Sequence, residues 1–229
     1  MKLECPYLSK FPSLKHAFFE ADPEILVSKL DRAMQAMAGR PLPLVTLKQI
    51  HSNKVFTVNE LSDERKEGDG LVTNIKGFAL GIVTADCGPV LLYDPKANVI
   101  GACHAGWRGA QGGILQATLD AMEEIGAKRP QIHATLGPTI QQKNYEVGPE
   151  FLDFIQGSYD TYFYPSDRQG HHYFNLPHYI CQQLREEGIA HIHDIRCNTF
   201  SGNFASRRRY LSDGNKEISA TNLSAIAIV

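Results

Sequence analysis

TADCGPVLLYDPKANVIGACHAGWRG, residues 84–109, decides how the rest of the chain is read. Within it PVLLYD (89–94) and VIGACH (99–104) are short apolar runs. Between them stands Pro95-Lys96-Ala97-Asn98, whose proline and asparagine, with the preceding aspartate, supply turn chemistry. The pattern predicts an antiparallel hairpin. The midpoint between Cys87 and His104 falls in that turn, so the spacing predicts both at the open end on facing chains, about 4.5–5.5 Å apart at Cα, as directly opposed residues are. That separation suits two ligands of one metal, and equally a Cys-His dyad. Successive strand residues face opposite sides, so only one of Cys103 and His104 points at the site; the equal spacing about the turn assigns His104 to it and Cys103 to the core.

A third candidate stands upstream, His51 in LKQIHSNKV. Imidazole and thiolate are the usual zinc ligands, and three of them leave the fourth tetrahedral position open, a pattern of catalysis more than scaffolding. Spacing does not bring His51 to the hairpin; its convergence there is an expectation about the fold. Asp86, beside Cys87, is either a proton shuttle or a turn anchor. Trp107 covers a planar base by stacking or plugs the core, and Arg108 holds an anion with its planar fork or pairs with a carboxylate. The run Arg207-Arg208-Arg209 is a solvated face unless it lies at the mouth of a pocket, where it binds phosphate. His191 and His193 alternate on a predicted strand and read as a satisfied or exposed pair, while His171-His172 sit in a polar loop. No Walker loop, GxGxxG fingerprint or GxSxG elbow is present.

Working outward, residues 44–100 are β-rich: VTLKQI, NKVFTV, GLVTN, FALGIVTA and PVLLYD are short and separated by glycine or polar clusters. Residues 22–38 are predicted helical, with Asp22 as cap, Pro23 and Glu24 in the first turn, and Ile25, Leu26, Leu30, Met34 and Met37 at helical spacing before Gly39. The glycine-rich HAGWRGAQGG leads into a helix predicted over 112–126, with Ile114, Leu115, Leu119, Met122 and Ile125 on one face and Gly126 at its end. Its free N–H groups form an anion site, or its glycines only let backbone pass close to the core. HATLGPTI reads as strand and turn, PEFLDFI and LPHYICQQLREEG as helices, IAHIHDIRC and LSAIAIV as strands. Helices and strands mix without strict alternation, so the fold class is α+β.

The 229 residues are 43% hydrophobic and 21% charged, and one compact domain over 1–229 is expected. A net charge of -2 offers no general attraction to nucleic acid, and no apolar run approaches the ~20 residues of a membrane span. The N-terminus lacks the apolar core of a secretory signal, and five irregularly placed cysteines make a poor disulfide framework, which together predict a cytoplasmic protein with reduced thiols. Nothing demands a dimer. A monomer is the default, with a dimer left open.

The succession LKQIHSNKV, GDGLVTN, TADCGPVLLYD, HAGWRG, LGPTI and NYEVGPE resembles the YfiH family, also called multicopper polyphenol oxidase or laccase-domain proteins, from about residue 14 onward. The group includes bacterial peptidoglycan editing factors and the FAMIN purine enzymes. The resemblance implies a single-domain mixed β-sheet sandwich flanked by helices, similar to the catalytic domain of cytotoxic necrotising factors, which are Cys-His deamidases. It implies a zinc site of His51, Cys87 and His104, with copper left open, and catalytic roles for Cys87, His104 and Asp86. Arg108, Trp107, Arg207 and Arg208 are then the substrate-binding candidates. The implied activity is that of a purine nucleoside phosphorylase cleaving adenosine, inosine and methylthioadenosine with phosphate, and also deaminating adenosine. Three positions depart from the family pattern: Glu20-Ala21-Asp22-Pro23, Gln141-Gln142-Lys143-Asn144 and Ala220-Thr221 replace a Thr-Arg with paired glycines, a Gly-Pro-Cys-Cys and a Gly-Arg. Two arginines are thereby lost, and Arg207, Arg208 and Lys143 are the cations available in their place. The alternatives are a Cys-His hydrolase or deamidase, an editing factor for peptidoglycan precursors, and a copper polyphenol oxidase, for which one histidine cluster is too few.

Overall fold

Apolar residues alternate along the strands, and the alternation assigns them to opposite faces. The computed structural model describes residues 2–21, 30–62, 64–155, 159–215 and 220–229, and in it two sheets stack through those faces. One sheet has the order β1 (Lys2–Leu3), β2 (Leu14–Phe19), β14 (Asn222–Ile228), β6 (Ala79–Thr84) and β3 (Leu44–Val45). The other runs β13 (His191–Asp194), β9 (His133–Leu136), β7 (Gly88–Asp94), β8 (Val99–Ala105), β5 (Gly70–Thr73) and β4 (Val55–Thr57). Phe18, Leu80, Ile82 and Ile226 of the first meet Leu71, Leu91, Tyr93 and Ile100 of the second in a dry inner core.

Helices cover both outer faces. Ala33, Met34 and Met37 of α1 (Leu30–Ala38) pack on Ala17, Phe19, Leu223 and Ala225. On the far side Val72, Val90, Leu92 and Cys103 meet α3 (Ile114–Glu124) through Ile114, Leu115, Leu119 and Met122, and α6 (Leu176–Glu186) through Ile180 and Leu184. The layers are therefore helix, sheet, sheet, helix, an α+β sandwich as expected. A small sheet of β10 (Glu146–Val147), β12 (His172–Phe174) and β11 (Phe163–Pro165), the short helices α2 (Trp107–Gln111), α4 (Phe151–Phe154), α5 (Tyr159–Tyr162) and α7 (Arg207–Ser212), and 3-10 turns at Leu8–Lys10, Arg129–Gln131 and Gln142–Asn144 complete the described elements. Among the described residues no helix is long and apolar enough to cross a membrane.

Three expectations need correction. The β7–β8 hairpin forms, but Asp94 pairs with Val99 and Pro89 with His104, so Cys87 lies beyond the last pair, displaced by two residues from the partner of His104. The four-residue turn Pro95–Asn98 is centred one residue past the midpoint of Cys87 and His104, and the Asp94 carboxylate braces it by accepting the N–H groups of Lys96 and Ala97 at 2.8 and 3.0 Å. VTLKQI is strand only at Val45, with a further bridge from Lys48 to Glu67, and at its end the Ile50 N–H goes to a side-chain carboxylate and not to a neighbouring strand. The helix predicted over 112–126 forms as α3, Ile114–Glu124, but the glycine-rich stretch read as a turn before it holds a further short helix, α2, set off from α3 at Gly113, whose φ of +87° is left-handed. The first half of the predicted 22–38 helix, including Asp22, Pro23, Glu24, Ile25 and Leu26, lies outside the described residues.

Candidate metal centre

Three connections that end at one corner of the sandwich deliver the candidate ligands. His51 comes from the β3–β4 loop at φ +60°, and Cys87 from the β6–β7 turn directly after Asp86, itself at φ +92°. His104 is the penultimate residue of β8, on the opposite face from Cys103, which is buried against the outer helices as the parity argument required. The ligand atoms of His51, Cys87 and His104 lie within 4.8 Å of one another. Cys87 Sγ is 4.0 Å from His51 Nε2, and the two imidazole centroids are 4.7 Å apart.

Zn–S and Zn–N bonds of about 2.3 and 2.0–2.1 Å meeting at a tetrahedral angle place their ligand atoms about 3.5 Å apart. The observed separation is close to that, so the donor set fits a tetrahedral ion with one position left over. Gly106 makes room for it: a Cβ there would sit 2.8 Å from Cys87 Sγ and 3.2 Å from His51 Cδ2.

The electrostatics favour a thiolate at Cys87 and a proton on His104, which an ion bound there would displace. Burial opposes ionisation of Cys87, but the imidazoles of His104 and His51 outweigh it and bring the thiol down to about 6. Burial likewise opposes the His104 cation, and the neighbouring Asp69 carboxylate and Cys87 sulfur reverse the effect, raising it to about 9. Cys103, without such partners, is pushed up to about 12 by burial. The surroundings thus favour the thiolate at Cys87 and the neutral thiol at Cys103.

Asp69 is the first residue that sequence reasoning missed. It is fully buried and receives His104 Nδ1 at 2.8 Å, leaving Nε2 for the centre. Its only sequence signal was its place in GDGLVTN. Tyr145 is the second; it lines the cavity and was visible only as part of NYEVGPE.

His51 and Cys87 open into a cavity of about 700 Å³, and Asp86, Trp107, Arg108, Arg207 and Arg208 all line it. Their roles differ. The Asp86 carboxylate accepts the Thr199 hydroxyl at 2.6 Å and the Arg208 N–H at 2.7 Å, so in this geometry it anchors the turn. Trp107 packs on Phe151 and stacks on Phe154, with centroids 4.6 and 5.4 Å away, and the Arg108 guanidinium lies 4.4 Å over its ring. The Arg208 guanidinium lies 5.5 Å over Tyr145. Arg209 does not line the cavity, and Lys143 is exposed away from it. His191 is stacked on His133 in the edge strand pair, with centroids 4.4 Å apart and an interplanar angle of 12°. Its neighbour His193 stacks on Tyr7, so this pair takes no part in the centre.

The model of a family described as multi-copper polyphenol oxidoreductase laccase matches residues 8–221. The chain is 33% identical over 171 residues to the purine nucleoside phosphorylase of Rickettsia conorii, covering 72% of this chain and 70% of that one. It is 42% identical over 134 residues to the purine nucleoside phosphorylase of Corynebacterium glutamicum, covering 57% and 54%, about half of that relative's length. A crystal structure of a Neisseria meningitidis protein is similar with a TM-score of 0.82 at 26% identity, covering 100% of this chain and 98% of that one. For the hypothetical protein YfiH of Bacillus licheniformis the TM-score is 0.80 at 21% identity, covering 96% and 94%.

Proposed function

Because this chain belongs to the multi-copper polyphenol oxidoreductase laccase family, and relatives matched within it carry the name purine nucleoside phosphorylase, we propose that it cleaves purine nucleosides with phosphate. One observation carries the reading: a three-ligand His-Cys-His cluster with a free tetrahedral direction opens into a cavity walled by Arg108, Arg207 and Arg208. Phosphorolysis needs an anion site near the anomeric carbon, which the arginine wall would supply, and an open metal position suits the activation of water for deamination.

In this reading the metal is zinc, held by His51, Cys87 and His104; bound there it supplies Lewis acidity and the means to activate water at neutral pH. Arg207 and Arg208 hold phosphate in place of the two family arginines that are absent. Arg108, over the Trp107 ring, and Tyr145 offer surface to the purine. A phosphate oxygen bonds to the anomeric carbon as the bond to the purine nitrogen breaks. The base leaves with that electron pair and takes up a proton. Adenosine, inosine and methylthioadenosine are the proposed substrates, with deamination of adenosine as a second reaction. The test is release of adenine or hypoxanthine, with and without phosphate, by protein of measured metal content. One zinc per chain, phosphate-dependent release and loss of release in Cys87→Ala are expected. A fully metallated protein inert to every purine nucleoside would exclude the reading.

The depressed Cys87 thiol favours one competitor, a metal-independent Cys-His hydrolase in which Cys87 is the nucleophile and His104 its base. Activity that survives chelation and is abolished by thiol alkylation would select it.

A further inference from the structure

One carboxylate touches both histidines of the centre. Asp69 Oδ1 accepts His104 Nδ1–H at 2.8 Å and the backbone N–H of His51 at 3.0 Å. Oδ2 accepts the N–H of Ile50 at 3.2 Å, the N–H of Ser52 at 2.6 Å and the Ser52 hydroxyl at 2.8 Å. The Asp69 carbonyl also accepts the backbone N–H of His104 at 2.8 Å, so that residue is held at both its ring and its main chain. The flanking glycines allow this density of contacts. A Cβ at Gly68 would lie 2.7 Å from the Phe56 ring, and one at Gly70 2.8 Å from Val55 Cγ2, where β4 crosses and Lys54 O accepts the Asp69 N–H. Gly-Asp-Gly is thus the sequence that lets a fully buried carboxylate reach two ligand segments at once.

We propose that Asp69 is the positioning residue of the metal centre, fixing His104 through its ring and His51 through its backbone. The proposal rests on the reading of His51, Cys87 and His104 as metal ligands. A hydrogen bond from Nδ1–H keeps the proton off Nε2 and aims that lone pair at the ion, and the same carboxylate wraps residues 50–52 so that the His51 ring meets it.

Asp69→Asn tests this because an amide replaces one oxygen by a donor. If the amide nitrogen takes the Oδ1 place, it faces two N–H groups; His104 must then accept at Nδ1 and carry its proton on Nε2. If it takes the Oδ2 place, it faces three donors and the His51 loop is released. Either way one ligand is misplaced. Ser52→Ala removes a single contact on Oδ2 and leaves the His104 bond intact. Metal-free wild type, Asp69→Asn and Ser52→Ala would be titrated with zinc against a chromogenic chelator and with cobalt for its thiolate and ligand-field bands, alongside circular dichroism and denaturation. The expected result is one metal per wild-type chain, about 10–100-fold weaker binding with an altered cobalt spectrum in Asp69→Asn, and a change within about threefold in Ser52→Ala. Wild-type affinity in Asp69→Asn overturns the proposal and leaves the metal reading standing. No metal bound by wild type overturns the metal reading, and the proposal with it. If Asp69→Asn does not fold, the imidazole tautomer of the zinc-loaded wild type decides by nitrogen-15 NMR: a His104 proton on Nδ1 supports the proposal and one on Nε2 overturns it.

Discussion

Arg207, Arg208 and Arg209 stand next to one another and do different things. The first two line the cavity, while Arg209 turns inward and donates to the carbonyls of Thr199, Phe200, Gly202 and Phe204 at 3.2, 3.0, 3.0 and 2.6 Å. Truncating Arg209 strands four carbonyls, so Arg209→Ala should lower stability by about 2–4 kcal/mol in urea denaturation. Arg207→Ala should change stability by less than about 0.5 kcal/mol; on the proposed phosphorolysis, its expected effect is a raised KM for phosphate with kcat little altered, read by steady-state assay. The sequence showed a charge run and not which member faces in, because that follows from the pitch of a six-residue helix whose first turn is set by the Ser206 hydroxyl accepting the Arg209 N–H. Asp86 was equally open. Its partners, Thr199 and Arg208, are 113 and 122 positions away, and no local pattern names them. Cys87 and His104 were legible because one hairpin contains both, whereas His51 joined them by resemblance alone.

At the scale of elements, the hairpin was legible and its apolar runs pair end to end, Pro89 with His104 and Asp94 with Val99; what was misread is Cys87, set opposite His104 by symmetry and found two residues before the partner of His104. The consequence is chemical. With the pairing continued beyond Gly88 and Ala105, Cys87 faces Gly106 and reaches His104 diagonally, which opens between the two strands the space where an ion fits. Gly106 has an ordinary φ of -72°, so alanine there meets no backbone strain, only crowding against Sγ and the His51 ring. Gly106→Ala should therefore destabilise by about 1–3 kcal/mol and weaken zinc binding, checked by denaturation and chelator competition on one preparation. VTLKQI was read as strand on propensity, and its end is taken over by a buried carboxylate, which accepts the Ile50 N–H that a strand would use.

For the whole molecule, acid stability follows from a histidine far from the centre. His16 on β2 is buried, its Nε2 accepts the Cys5 N–H at 2.8 Å, and burial lowers its pKa from 6.5 to about 4. Between those values the unfolded chain takes up a proton that the folded chain refuses. Stability from this group is complete above about pH 6.5 and declines as pH falls to about 4, by roughly 3 kcal/mol in total. His16→Gln abolishes the ionisation, so its urea midpoint should vary less with pH than the wild type's between pH 4 and 7. The α+β mixture was legible from the run of strands and helices; the pairing of the sheets was not, because no local signal matches strands some two hundred residues apart. That pairing has a temporal meaning. β14 lies between β2 and β6 and bonds to both, with Leu223 opposite Phe19 on one side and Val83 on the other. On the ribosome, β2 and β6 emerge long before the strand that joins them, so all three candidate metal ligands are synthesised while the sheet behind them is still in two pieces. Until β14 emerges, the nascent chain carries exposed strand edges that only a chaperone or a wrong partner can cover, and folding of this layer waits on the closing of a very long loop.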